Sequence, residues 1–207
     1  MSLDALITFI VASTLLSFAP GPDNIFVLMQ SAMHGRRAGL FITLGLCTGL
    51  LVHTTLVALG VAALLVVSTT AFTVLKLVGA MYLVYLAVLS WRASASVADG
   101  PDALQLSPRQ YYLRGIVMNV TNPKVAIFFL AFLPQFAQPD GGSITLQLVV
   151  LGGLFIAVAL AVFSLIAVLA GWLAGALARS ARAQIRLNRL AALVFFGLAA
   201  RLALSSR

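Results

Sequence analysis

The sequence predicts an all-α, polytopic membrane protein, and three observations lead to that fold class. Hydrophobic residues make up 62% of the 207 residues and charged residues only 9%, whereas a soluble domain carries roughly 25% charged residues. The mean hydropathy is +1.09. The basic residues fall in short polar breaks between long apolar runs, which is the pattern of a membrane topology. These runs lack the alternation of barrel strands, and backbone groups in lipid must bond internally, so the runs are predicted to be helices.

The first three spans follow from the positions of polar residues, at about 20 apolar residues for each crossing. The first apolar run is interrupted at residues 20–24 and ends at the polar residues 34–37. Residues 38–75 hold no Asp, Glu, Lys or Arg. Because that stretch is too long for one helix, we divide it near residues 67–70. The predicted spans are residues 3–33, 39–66 and 72–91.

The last three spans are bounded by turn signals and basic residues. Residues 92–114 form the longest polar segment, which contains Gly100-Pro101 and Ser107-Pro108 as turn signals. The fourth span is broken at residues 122–124, and residues 135–142 form a turn. A basic connector at residues 179–189 precedes a short sixth span. The predicted spans are residues 111–134, a segment within 141–178, and 190–204.

The distribution of arginine predicts the orientation in the cell inner membrane. With six spans, the connectors between spans 1 and 2, 3 and 4, and 5 and 6 lie on one side. They carry Arg36, Arg37, Arg92, Arg109, Arg114, Arg179, Arg182, Arg186 and Arg189. The other side has only Arg201 and Arg207, at the C-terminus. The positive-inside rule places the arginine-rich connectors in the cytoplasm and both termini outside. A five-span alternative, which loses the sixth span, would place the C-terminus inside.

The two halves of the chain resemble each other, and we expect one domain (residues 1–207) built as a 3+3 inverted repeat. The halves are residues 1–92 and 109–207, joined by a cytoplasmic connector at 93–108. Each half begins with a broken span, at Gly21-Pro22-Asp23 and at Asn122-Pro123-Lys124. Inverted repeats commonly place substrate at the bilayer midplane, where broken helices expose backbone groups. Isolated proline kinks are tolerated in membrane helices, but two matching breaks, each followed by a charge, favour a binding site.

Asp23 and Lys124 require an explanation because a charge at the centre of a membrane helix costs about 2.5–3.5 kcal/mol on insertion scales. Such residues usually face a cavity or a partner. If symmetry relates the halves, the two residues occupy equivalent positions near the axis, which is compatible with a direct pair between them. The alternative is a buried ion pair with a purely structural role.

His53 shares a helix face with Gly45 and Gly49, since the three residues follow each other at four-residue spacing. Small residues on that face let another helix approach closely. His53 is then expected to point into the bundle, where it binds substrate or protons, or serves as a hydrogen-bonded structural residue. Gly171 and Gly175 repeat the small-residue spacing and are compatible with a homodimer.

These residues belong to a series of motifs that resembles the LysE/RhtB superfamily of amino-acid exporters over nearly the whole chain. The segment around His53 is similar to the branch that exports homoserine, its lactone and threonine. The ending, residues 196–202, is more similar to a leucine-exporting member. The motifs are Ser17-Phe18-Ala19-Pro20-Gly21-Pro22-Asp23, Gly45-Leu46-Cys47-Thr48-Gly49 with His53, Lys76-Leu77-Val78-Gly79-Ala80-Met81-Tyr82-Leu83, Asn119-Val120-Thr121-Asn122-Pro123-Lys124 and Phe132-Leu133-Pro134-Gln135-Phe136.

The resemblance implies a secondary active exporter of small neutral amino acids such as homoserine, threonine or leucine, driven by proton antiport. The expected partners are the amino-acid substrate, protons and the lipid bilayer. Asp23 and His53 are the proton-coupling candidates. The residues expected to bind substrate are Pro20, Gly21, Pro22, Asp23, Asn24, His53, Asn119, Asn122, Pro123 and Lys124.

Other classes of function fit the sequence less well. The formal net charge of +8 does not form one patch, so we expect no nucleic-acid partner. Cys47 is the only cysteine, which excludes disulfides and multi-cysteine metal sites. An enzyme is disfavoured because Asp23, Cys47 and His53 are the only buried catalytic candidates, and we expect neither cofactor nor metal. A channel or metal-cation exporter is the main alternative, although the chain lacks the clustered acids that such a pore requires.

Overall fold

The computed structural model describes residues 1–61, 69–93, 106–138, 141–178 and 180–204. Regular structure in these ranges is helical, with no strand. The α-helices are α1 (Leu3–Phe18), α2 (Pro22–His34), α3 (Arg36–Leu56), α4 (Thr69–Arg92), α5 (Pro108–Val120), α6 (Pro123–Ile127), α7 (Ile144–Ala178) and α8 (Ala181–Leu204). A π-helical turn at Val57–Val61 extends α3, and a π-helical turn at Phe128–Phe132 with a 3₁₀ turn at Leu133–Phe136 extends α6.

The described helices have the length and apolarity of a polytopic membrane protein. Four of them can each cross a bilayer alone, namely Arg36–Gly60, Phe72–Arg92, Ile144–Ala174 and Arg182–Leu204. Two bent pairs also qualify, α1 with α2 at 57° and α5 with α6 and its extension at 51°. Counting each bent pair as one crossing gives six spans. The predicted all-α polytopic fold is confirmed.

Both helix breaks lie where the prolines predict them. Gly21 precedes α2 in an extended conformation, and Pro22 takes the first helical position, where its missing N–H removes no helix bond. Asn122 precedes α6 in the same way, its side chain accepts from the Lys124 amide, and Pro123 is the first helical residue. The chain therefore turns sharply at two points inside otherwise apolar segments.

The sixth span is longer than predicted, and the expected connector at residues 179–189 is wrong over most of its length. Helix α8 begins at Ala181, after Ser180, whose hydroxyl accepts from the Ala183 amide at 3.2 Å. Arginines in the first turns do not prevent a membrane helix, because their long apolar stems let the charge reach the interface. The Arg189 guanidinium lies 5.4 Å from the centroid of the Trp91 ring. Arg179 lies outside the described residues.

Two other predicted boundaries are only partly covered. The division near residues 67–70 falls mainly in residues 62–68, outside the described ranges, and α4 begins at Thr69. Most of the predicted connector at 93–108 falls in residues 94–105, which are also outside them.

Glycines bring α3 and α5 into backbone contact, as the small-residue spacing predicts. A Cβ on Gly45 would collide with the Tyr112 carbonyl oxygen, and one on Gly115 with the Ile42 carbonyl oxygen. A Cβ on Gly49 would come 2.7 Å from the Cβ of Asn119. This close approach places the next turn of α3 beside the break between α5 and α6.

Candidate functional site

A cluster of buried polar side chains lies where the two broken helices meet. Its five central members, Asp23, His53, Asn119, Asn122 and Lys124, are each at most 6% exposed. Asp23 lies in the first turn of α2 and Lys124 in the first turn of α6. Because ionisable residues inside a membrane are costly and typically mark substrate or ion pathways, this cluster is the candidate substrate site.

Lys124 connects the second break to the end of α1. Its Nζ donates to the Ala19 carbonyl oxygen at 3.2 Å, and Ala19 is the residue at which α1 ends. An ammonium group is favoured there because the C-terminal end of a helix carries partial negative charge. The same Nζ lies 3.0 Å from the position of a Cβ on Gly21. Gly21 is in extended backbone, φ −173°, so this close contact, and not its conformation, is what favours glycine.

Asp23 has one partner and one unpartnered oxygen. Its Oδ2 accepts from Asn119 Nδ2 at 3.5 Å, a long contact, whereas Oδ1 is buried without a hydrogen bond. Asn122 also faces this carboxylate, but its Nδ2 does not reach hydrogen-bond geometry. Lys124 attracts Asp23 electrostatically, while its hydrogen bond goes to Ala19.

His53 makes the same kind of contact on the other broken helix. Its Nε2 lies 3.1 Å from the carbonyl oxygen of Asn119, in the last turns of α5. A carbonyl can only accept, so this contact assigns the hydrogen to Nε2. The imidazole also lies 5.7 Å from the Phe129 ring, centroid to centroid. A basic side chain therefore contacts a carbonyl near the C-terminal end of the first half-helix at each break.

Several buried polar atoms around the breaks have no partner within the described protein. Those nearest the breaks are Ser17 Oγ, Asp23 Oδ1, Asn24 Oδ1, Asn119 Oδ1 and Asn122 Nδ2. Asn24 uses its amide nitrogen to bond the Ser17 carbonyl at 2.6 Å. A buried polar group left unpaired costs about 1–3 kcal/mol. Five such atoms close together therefore indicate a place for a polar ligand or water.

The predicted site residues thus divide into three groups. The structure brings together Asp23, Asn24, His53, Asn119, Asn122 and Lys124 as buried side chains. Pro22 and Pro123 are exposed and stand at the first helical positions after the breaks, and Pro20 and Gly21 are half-buried in the first break.

Sequence reasoning missed two buried serines of α1, Ser13 and Ser17, whose hydroxyls have no partner. Their four-residue spacing, which puts both on one helix face, was a usable signal. The signal is weak by itself, because small residues such as serine are enriched wherever membrane helices pack together.

A family model described as LysE type translocator matches residues 14–206. The chain belongs to this family. The LysE match covers both breaks, all six clustered side chains and α8. No solved structure matches the chain.

Curated relatives of this LysE-family chain cover most of its length. A homoserine/homoserine lactone efflux protein of Salmonella typhimurium is 36% identical over 81% of the chain and 82% of that protein. An uncharacterized membrane protein of Vibrio cholerae is 31% identical over 95% of each. A leucine efflux protein of Klebsiella pneumoniae is 28% identical over 95% of the chain and 93% of that protein.

Proposed function

We propose that this translocator is a secondary active exporter of small neutral amino acids (homoserine, threonine, leucine or similar), driven by proton antiport. The observation that carries the proposal is the buried cluster at the two breaks, which combines one acid, one lysine and two unpartnered amide oxygens. The printed names of two relatives, a homoserine and homoserine lactone efflux protein and a leucine efflux protein, support this substrate class.

The end of α2 supplies a position for the substrate carboxylate. No side chain caps the N-terminus of α2 at Gly21, and the Lys124 ammonium lies against that glycine. The N-terminus of a helix carries partial positive charge and free N–H groups. A carboxylate placed here would meet the lysine and the helix end together.

The substrate ammonium requires acceptors, and the unpartnered oxygens provide them. Asp23 Oδ1, Asn24 Oδ1 and Asn119 Oδ1 are all buried without a donor. An ammonium group has three N–H donors and no acceptor, so it complements this set. Asp23 supplies the negative charge that balances the ammonium in a medium of low dielectric constant.

Proton antiport follows from the use of one carboxylate for two cations. When the ammonium leaves, Asp23 would remain as a buried charge with few partners, which is costly. A proton on Asp23 removes that cost, so the acid holds either substrate or proton. His53 couples this exchange to α5 through Asn119. The His53 ring contacts the backbone carbonyl of Asn119, and the Asn119 side chain contacts Asp23.

The proposal includes the 3+3 inverted repeat, and the helix contacts support it. The second span, α3, packs on the fifth, α7, and the third span, α4, on the sixth, α8; these are the pairings that a two-fold axis would map onto themselves. The positive-φ glycines also recur: Gly35 (φ 83°) precedes α3 and Gly142 (φ 93°) precedes α7.

A resistance screen tests the substrate class directly. Cells expressing the protein are challenged with toxic concentrations of single amino acids and their analogues, with Lys124→Gln as the matched inactive control. We expect protection against one or a few small neutral amino acids, lost in the control. Protection against metal cations alone, or against no amino acid at all, would contradict the proposal.

A further inference from the structure

Two buried serines of α1 differ from the threonines of the described helices whose hydroxyl bonds are seen. In seven threonines the hydroxyl donates to the carbonyl four residues earlier, namely Thr8, Thr14, Thr43, Thr48, Thr54, Thr55 and Thr121. Such back-bonding is how hydroxyls are satisfied in lipid. The hydroxyls of Ser13 and Ser17 are buried and make no such bond. Ser31 also lacks a partner, but its Oγ fits against the bare Cα of Gly39, so helix packing accounts for it.

Ser13 and Ser17 form a line with Phe9 that ends at the substrate site. The three residues follow each other at four-residue spacing, so they lie on one face of α1. Phe9 and Ser13 are 0% exposed and Ser17 is 4% exposed. At the inner end, Asn24 bonds the Ser17 carbonyl. This face thus leads from the cluster at the breaks towards the N-terminal end of α1.

Aromatic rings close the other end of that line. The Phe9 ring lies edge-on to Phe136 at 5.1 Å and 6.3 Å from Phe128, centroid to centroid. The Arg201 guanidinium lies 4.6 Å from the Phe136 ring centroid. Phe128 is in a π-helical turn and Phe136 in a 3₁₀ turn. Such turns often mark functional sites and hinges within helices, so these rings are carried by backbone suited to rearrangement.

We propose that the Phe9–Ser13–Ser17 face of α1 lines the half of the translocation path that leads from the central site to the end of the bundle where α1 begins, and that Phe9, packed on Phe128 and Phe136, closes it. This rests on the proposed export function. The two hydroxyls replace part of the hydration of a departing zwitterion, which an apolar wall would not do. The rings exclude water and ions while the central site is occupied or facing the other side.

Cysteine accessibility tests the path without requiring transport. Cys47 is the only native cysteine, so Ser13→Cys and Ser17→Cys are each made in a Cys47→Ala background. A water-soluble thiol reagent is applied to purified protein in lipid vesicles, from each side in turn. We expect both cysteines to react from the side on which α1 begins, and L-homoserine to change the rate. Thr14→Cys is the matched control; the native Thr14 hydroxyl bonds Ile10, and we expect no reaction there.

Phe9 variants test the closure. Phe9→Ala is expected to raise the labelling rate at Ser17→Cys roughly tenfold, because the closed state is held by ring packing that opens locally. Phe9→Leu, which keeps an apolar plug, is expected to raise it less and guards against misfolding of the alanine variant. If Ser17→Cys is labelled at the same rate with Phe9, Phe9→Ala and Phe9→Leu, the proposal that Phe9 closes the path is refuted.

The outcomes separate this inference from the function on which it rests. Labelling of Ser13→Cys and Ser17→Cys with no effect of any amino acid and no export would preserve the path and refute the amino-acid function. Export with neither cysteine reactive from either side would refute the path alone. Ser13→Ala, which lies one turn further from the breaks than Ser17, should slow export several-fold and leave the thermal shift caused by L-homoserine unchanged, whereas Thr14→Val should change neither.

Discussion

At the scale of single residues, Lys124 illustrates how the site can release what it binds. Its ammonium already has a partner, the Ala19 carbonyl at 3.2 Å. Under the proposed function, a substrate carboxylate would replace this existing hydrogen bond. The lysine would regain the bond when substrate leaves, and the exchange would keep binding weak enough for turnover.

Charge variants at the site test the assigned roles. Asp23→Asn and Lys124→Gln each keep size and remove one charge, and we expect each to reduce export at least tenfold, since a hydrogen bond to a charged group contributes about 1.5–3 kcal/mol. Export and proton coupling are measured for both single variants and the double variant. Asp4→Asn, which changes an exposed acid of α1, is the control. Full proton-coupled export by the double variant would show that the pair is only structural.

Gly21 offers a second test at the same scale. A Cβ there would lie 3.0 Å from Lys124 Nζ, so Gly21→Ala is expected to move the ammonium away from Ala19 and lower export several-fold. Gly197→Ala is the matched control, because a Cβ at Gly197 meets nothing within 4 Å. Both are assayed for membrane level and transport. Equal export by the two variants would show that the position of the ammonium does not matter.

At the scale of helices, the two prolines are predicted to matter through the backbone they interrupt. Replacing Pro22 and Pro123 with alanine restores an N–H and removes the steric bar to a continuous helix, which in a helix interior is worth about 3 kcal/mol. We expect the double variant to insert normally and to lose most of its export.

Pro108 provides the control for that experiment. It also occupies the first position of a helix, α5, but it is exposed and far along that helix from the break. Pro108→Ala should therefore export normally. Normal export by the Pro22 and Pro123 double variant would remove the broken helices from the mechanism.

The helices also show what sequence patterns can and cannot predict. The breaks at Pro22 and Pro123 were predictable because proline lacks an N–H and glycine or asparagine precedes it. The start of α8 was not predictable, because arginine lowers the hydropathy and so marks a boundary. The helix nevertheless continues through Arg182 and Arg186, since long apolar stems let an arginine charge reach an interface. The contact of His53 with Asn119 required the helices to be placed in space, since the residues are far apart in sequence.

At the scale of the whole molecule, the orientation in the membrane remains a prediction. Arginine-rich connectors on one side place both termini outside. Reporter fusions at Ser206 and within residues 93–106 test this, and we expect an external signal from the first and a cytoplasmic signal from the second. A cytoplasmic C-terminus would refute the six-span topology with both termini outside.

The central claim is that an amino acid and a proton exchange at the cluster where the two broken helices meet. The most direct measurement is uptake of radiolabelled L-homoserine by purified protein in lipid vesicles with an acidic interior, compared between the native chain and Asp23→Asn. We predict uptake that saturates with concentration, depends on the pH gradient and loses that dependence in Asp23→Asn. Flux that never saturates, or proton-driven accumulation unchanged in Asp23→Asn, would contradict the account.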